Sequence, residues 1–143
     1  MIFERIVSPG LAHFSYFLAS ENEAFVVDPR RDSNIYVEMA YDAGATIKYI
    51  FETHRNEDYV IGSKELTTIG NAEIYHGPGL EWEYGNTLKE GQELQIGTLK
   101  VKVLHTPGHT DESVSYVLYD TTSGSEPIMV FTGDALFIGD VGR

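Results

Sequence analysis

The chain contains no cysteine. No disulfide, no thiolate zinc finger and no cysteine nucleophile can form within it. Any metal must therefore be held by His, Asp, Glu or Asn, a donor set of imidazole and oxygen. Cationic side chains are also scarce: ten Lys and Arg stand against 22 Asp and Glu, a formal net charge of −12. Nucleic-acid binding, which neutralises phosphates with Lys and Arg, is excluded as an expectation. Anionic membrane surfaces are disfavoured for the same reason. No apolar run approaches the roughly 20 residues of a bilayer-spanning helix. The first residues, Met1 to Val7, carry Glu4 and Arg5 and show no signal-peptide pattern, so a cytoplasmic protein is the default.

What is present is ordinary globular material. At 143 residues the length prior is one domain. With 42 % apolar and 22 % charged residues, the chain is neither disordered nor fibrous. Short apolar segments rich in aromatic and β-branched residues predict strands at Phe3 to Val7, Phe14 to Leu18, Ala24 to Val27, Thr46 to Phe51 and Ala72 to Tyr75. Further strands are predicted at Glu93 to Ile96, Leu99 to Leu104, Ser113 to Tyr119 and Ile128 to Phe131. Gly97-Thr98 reads as a two-residue hairpin turn. One helix is predicted from an Asp32 or Ser33 cap to about Asp42, stopped by Gly44, and a weaker loop and helix between Asn56 and Thr68. Strands dominate, which points to an α/β (α+β) chain with helices outside packed, mixed sheets. Tyr16, Phe17, Tyr116 and Phe131 are expected in the core. His105 reads as structural, His13 as a strand opener and His76 as a surface residue.

Three segments share one design. KYIFETH, VKVLHTPGH and IMVFTGD each run an apolar strand into a polar turn that bears a ligand-type residue: His54, His109 and Asp134. Rigid strand ends with exposed turns are common places for function. Two imidazoles and one carboxylate on one face would leave three adjacent positions of an octahedral metal open. A structural zinc site would be closed by four ligands instead. Taken singly, each segment can also be an ordinary turn: Pro-Gly is a turn dipeptide, and Gly-Asp can simply stop a strand.

The segments THRNED (53–58), TPGHT (106–110), TGDAL (132–136) and VVDPRRD (26–32) resemble the metallo-β-lactamase superfamily in order and spacing. The resemblance implies its αβ/βα sandwich, here mainly the N-terminal half, as one incomplete domain over 1–143. Hydrolases of the superfamily commonly carry T-H-x-H-x-D-H and two metals. Here Asn56 and Tyr59 replace the second and third His, while His54 and Asp58 are kept. Persulfide dioxygenases are similar to this pattern: the resemblance implies one Fe(II) per chain on His54, His109 and Asp134, with zinc as a possible substitute.

The same resemblance implies a small-molecule thiol persulfide and O2 as substrates and assigns substrate binding to Arg143 in the Gly142-Arg143 pair. Asp58 is either a carboxylate that orients a metal-bound histidine or a helix cap. Tyr59 either hydrogen-bonds near the open metal face or packs. The alternative activity is a zinc-dependent thioester or lactone hydrolase of the glyoxalase II type, and a third is an inactive fragment. The resemblance also implies a fragment or a truncated gene product of a family whose members often continue into rhodanese domains, and an uncovered sheet face implies a homo-oligomer.

Overall fold

A computed structural model describes residues 1–7, 14–54, 57–77, 85–105, 114–132 and 135–137, with the backbone alone at 57–61, 69–70 and 135–137. Eleven strands and two helices appear among the described residues. The strands are β1 (Ile2–Val7), β2 (Phe14–Ser20), β3 (Glu23–Val27), β4 (Thr46–Phe51), β5 (Glu73–His76), β6 (Asn86–Thr87), β7 (Glu93–Ile96), β8 (Leu99–His105), β9 (Val114–Asp120), β10 (Pro127–Phe131) and β11 (Ala135–Phe137). The helices are α1 (Asn34–Ala43) and α2 (Glu57–Gly70). This is the mixed α/β architecture expected of the superfamily's N-terminal part.

Sheet A has the order β1-β2-β3-β4-β5-β6, and sheet B the order β11-β10-β9-β8-β7. In sheet A the first pairings are antiparallel, and β3, β4, β5 and β6 run parallel. Parallel neighbours need crossovers, and α1 and α2 supply those from β3 to β4 and from β4 to β5. Sheet B is antiparallel throughout.

Strand alternation divides the apolar residues into two cores. Tyr16, Leu18, Phe25, Val27 and Phe51 of sheet A meet Leu99, Val101, Val103, Tyr116 and Phe131 of sheet B between the sheets. Phe17, Val26, Ile50 and Ile74, on the other face of sheet A, pack with Tyr36 and Ala40 of α1 and Leu66 of α2. The intervening positions of β8, Lys100 and Lys102, are half-buried cations, so the outward face of sheet B is not apolar there. Gly44 ends α1 in the left-handed conformation, φ 64°, with its N–H returned to the Tyr41 carbonyl. Ser33 precedes α1 as expected but makes no side-chain cap. Among the described residues, no helix is long and apolar enough to cross a membrane.

One contact seats α2 against the turn after β3. A Cβ at Gly62 would be driven into the Arg30 backbone carbonyl. Alanine gains about 1 kcal/mol of helix propensity there. Against this, overpacking costs about 1–3 kcal/mol, at the upper end when the obstacle is backbone. Gly62→Ala is expected to lower unfolding free energy by about 1–2 kcal/mol in urea titration. A variant more stable than wild type would show that the helix can shift away freely.

Candidate metal centre

β4 ends at Phe51 and hands the chain to Glu52, Thr53 and His54. Glu52 and Thr53 are buried and His54 is half-buried. Three backbone bonds fix this turn: Glu52 N–H to the Tyr75 carbonyl (3.0 Å), Asp28 N–H to the Phe51 carbonyl (2.8 Å) and Val114 N–H to the Thr53 carbonyl (2.7 Å). The last one crosses from sheet B to sheet A.

Asp28 was not singled out as a site residue from the sequence, yet it lies directly behind His54. It is fully buried and sits at φ 51°, a left-handed backbone that Asp and Asn tolerate better than other residues with a Cβ. Its Oδ1 accepts the Thr53 N–H at 2.7 Å and its Oδ2 accepts the Thr53 hydroxyl at 2.7 Å. Thr53 Oγ1 also lies 2.9 Å from His54 Nδ1. A threonine hydroxyl has one hydrogen. While Asp28 is ionised that hydrogen goes to it, and the His54 contact then requires Nδ1 to be the donor. The proton is then on Nδ1, and Nε2 carries the lone pair that a metal needs. The signal available in sequence was an acid at the end of an apolar strand, immediately before proline.

Burial pushes the Asp28 carboxyl up to about 8 and the neighbouring Glu52 adds to the rise, against the pull of its two hydrogen bonds from Thr53. An ionised Asp28 therefore depends on those two donors.

His109 and Asp134 lie outside the described residues, as do Arg143, His13, Asn56 and the side chains of Asp58 and Tyr59. The backbone places Asp58 and Tyr59 in the first turn of α2. The stems of the His109 and Asp134 segments are described, and they come to the His54 turn. Residues 106–113 leave from His105 and return at Val114; these two are paired, and Val114 N–H holds Thr53. Residues 132–134 connect Phe131 to Ala135, also a pair, and Phe131 is paired with Tyr116. Tyr116 Oη in turn donates to the Glu52 carbonyl at 2.6 Å. Three strand ends thus share one rim. Among the described residues, no group of three His, Asp or Glu comes together as a metal-binding cluster.

His76 departs from the surface reading: it is buried, at 1 % exposure. β5 is interior to sheet A, and a Cβ at Gly77 would collide with Val114, so the two sheets close tightly over this strand end. His76 Nδ1 lies 3.2 Å from the Gly77 carbonyl. His105 is half-buried, with its backbone N–H on Glu90 Oε1 at 3.0 Å.

A two-sheet sandwich with helices against the outer face of sheet A, and with His54 on a strand-end turn at the rim between the sheets, is the frame that the described residues establish. The chain belongs to the metallo-beta-lactamase superfamily, whose family model matches residues 8–143. Members of that superfamily bind a divalent metal, commonly zinc or iron. The donors fit such a dication: two neutral imidazoles, one carboxylate and no thiolate.

A hydroxyacylglutathione hydrolase from Dictyostelium discoideum is 30 % identical over 135 residues, 92 % of this chain and 50 % of that protein. A metallo-beta-lactamase structure from Staphylococcus aureus subsp. aureus COL is similar with a TM-score of 0.82 and 31 % identity, covering 92 % of this chain and 42 % of that one. ETHE1 from Myxococcus xanthus is similar with a TM-score of 0.75 and 27 % identity, covering 82 % and 54 %. The chain spans about half the length of the curated relative it matches over 92 % of its own residues.

Proposed function

We propose that the chain carries the metal-binding core of a non-haem iron persulfide dioxygenase. The observation behind this reading is the substitution pattern at 53–59. His54 and Asp58 are kept, while Asn56 and Tyr59 stand where dinuclear hydrolases use imidazoles. A neutral amide is a poor ligand for a transition metal, and a phenol must ionise to become one. The donors for one metal are left: His54, His109 and Asp134. The ETHE1 likeness fits this reading.

The reaction would convert a low-molecular-weight thiol persulfide, O2 and water into the thiol and sulfite, with both oxygen atoms of O2 taken up by the terminal sulfur. A bound iron(II) would supply adjacent open positions for both substrates and the redox chemistry that joins them. The chain's own residues do the rest. Thr53 and Asp28 hold His54 with Nε2 available. Asp134 offsets part of the metal's charge. Arg143 grips the substrate's anionic group, for which a guanidinium is suited. In this reading Asp58 either orients a metal-bound histidine or caps α2, and Tyr59 either hydrogen-bonds near the open metal face or packs. The proposal takes small molecules, not nucleic acid, as partners, and includes self-association, which light scattering would test.

A second reading is favoured by the names of the curated relatives. Hydroxyacylglutathione hydrolase is the name carried by the Dictyostelium relative and by a Brucella anthropi protein 40 % identical over 107 residues. In that reading zinc activates water against a thioester.

Oxygen uptake with several thiol persulfides, on iron-loaded protein, separates the two. The dioxygenase reading expects uptake with sulfite formation, and its loss in His109→Ala. Stoichiometric zinc with thioester hydrolysis and no oxygen uptake would assign the chain to the hydrolases. Failure to take up either metal would leave an inactive fragment.

A further inference from the structure

Tyr116 is wholly buried between the sheets, its ring centroid 4.9 Å from that of Phe51. Phenylalanine would fill the same space, so the hydroxyl is what tyrosine adds. That hydroxyl donates to the Glu52 carbonyl at 2.6 Å, with the Tyr75 carbonyl at 3.5 Å. Glu52 is two residues before His54. On its own sheet, Tyr116 is paired with Phe131, where the Asp134 turn begins, and lies two residues after Val114, where the His109 segment returns.

The bond therefore joins the sheet that carries His54 to the sheet whose turns carry His109 and Asp134. Apolar packing is non-directional and sets the offset of two sheets only loosely. A metal centre needs its donors held within about 0.5 Å of the productive geometry. At this rim the directional bonds across the gap include Tyr116 Oη to the Glu52 carbonyl, its longer contact to the Tyr75 carbonyl, and Val114 N–H to Thr53.

We propose that the Tyr116 hydroxyl is a positioning group for the metal centre, setting the offset between the His54 turn and the turns of His109 and Asp134. The inference rests on the reading of those three residues as one metal site. Its effect belongs to metal affinity and coordination geometry, beyond any loss of stability.

The test uses the full chain with Tyr116→Phe, and Ser20→Ala as the matched control. At the opposite end Ser20 Oγ makes the corresponding cross-sheet bonds, sharing a hydrogen with Thr98 Oγ1 (2.7 Å) and accepting the Thr98 N–H (3.0 Å). Zn(II) affinity is read by chelator competition, coordination by the Co(II) absorption spectrum, and the clasp by hydrogen exchange of the Val114 amide in metal-free protein. Tyr116→Phe is expected to bind Zn(II) about tenfold more weakly, as removal of groups behind metal ligands does. Its Co(II) spectrum should change and its Val114 amide should exchange faster. Ser20→Ala should match wild type in all three.

Wild-type affinity and spectrum in Tyr116→Phe would overturn the proposal, as would an equal loss in Ser20→Ala. If wild-type protein takes up neither metal, the metal-site reading fails instead, and unchanged Val114 exchange in Tyr116→Phe would separately overturn the clasp.

Discussion

Asp28→Asn is expected to keep the fold and to weaken Zn(II) binding by about 10–100-fold, the usual effect of removing a partner behind a metal ligand. Asparagine tolerates the left-handed backbone at this position, φ 51°, and nearly matches aspartate in shape. What changes is the direction of the hydrogen bonds. If the amide oxygen accepts the Thr53 N–H, its NH2 faces Thr53 Oγ1 and must donate. The threonine hydrogen then turns to His54 Nδ1, 2.9 Å away, and the imidazole proton moves to Nε2. That nitrogen has lost its lone pair. If the amide is flipped, NH2 confronts the Thr53 N–H and two buried donors oppose each other, which costs about 1–3 kcal/mol. Either arrangement penalises the metal-ready histidine. Chelator competition above about pH 8, where Asp28 is ionised, gives the number, and an affinity there within about twofold of wild type would refute the relay from Asp28 through Thr53 to His54.

The same residue gives the metal-free protein a pH signature. Burial, with Glu52 nearby, raises the Asp28 carboxyl from its model-compound value of 3.8 to about 8. Between those values the folded state binds more protons than the unfolded state, so stability falls as pH rises. Below about 4 both states are protonated and the group contributes nothing. Above about 8 the cost of holding the buried group ionised is fully present. Wild-type apo-protein should therefore lose stability relative to Asp28→Asn as pH rises from 5 to 8. The metal works in the other direction. It requires Nδ1–H on His54, which leaves the Thr53 hydrogen for an ionised Asp28. Metal affinity should accordingly rise with pH toward 8.

The sequence made the strands that carry the site easy to find. Thr46 to Phe51 is read with the bounds it has, because a β-branched and aromatic run lies between a glycine stop and a polar turn. The Gly97-Thr98 turn is likewise where two residues separate Ile96 from its partner Leu99. β6 is two polar residues, Asn86 and Thr87, held by pairing with Tyr75 and His76, and no hydrophobic pattern marks it. β11 has only three residues and follows the turn that carries Asp134.

The candidate metal ligands could be nominated because ligand-type residues end apolar strands and the resemblance to the superfamily joined them into one site. The groups behind them could not. Asp28 reaches Thr53 across 25 residues and Tyr116 reaches Glu52 across 64. Tyr116 was recognisable as core, but a hydroxyl's partner is a property of the tertiary fold. His76 looked like a turn residue because a Gly-Pro-Gly follows, and only the strand order shows that it is enclosed.

Gly97→Ala is expected to cost about 2–4 kcal/mol of stability, from left-handed backbone strain of about 1 kcal/mol plus an overpacking cost of about 1–3 kcal/mol. Gly97 has φ 56°, and a Cβ there would be driven into the Ser20 carbonyl. Backbone cannot rotate out of the way as a side chain can. The turn is also clasped to sheet A: Gly97 N–H donates to Glu23 Oε1 at 2.7 Å, and Lys48 Nζ holds Glu23 Oε2 at 2.8 Å. Those contacts, Lys48 first, keep the Glu23 carboxyl below its ordinary range. Displacing the turn loosens that charged bond as well. For a chain of this size the melting temperature should fall on the order of 10 °C.

Yet this clasp is at the end of the sandwich opposite His54. Metal affinity measured on folded Gly97→Ala should therefore stay at the wild-type value. Asp28→Asn should show the reverse, folded but weak in metal. If Gly97→Ala lost metal affinity in proportion to its stability, the rim would not be an independent unit, and the sheets would position the donors through global packing instead of local bonds.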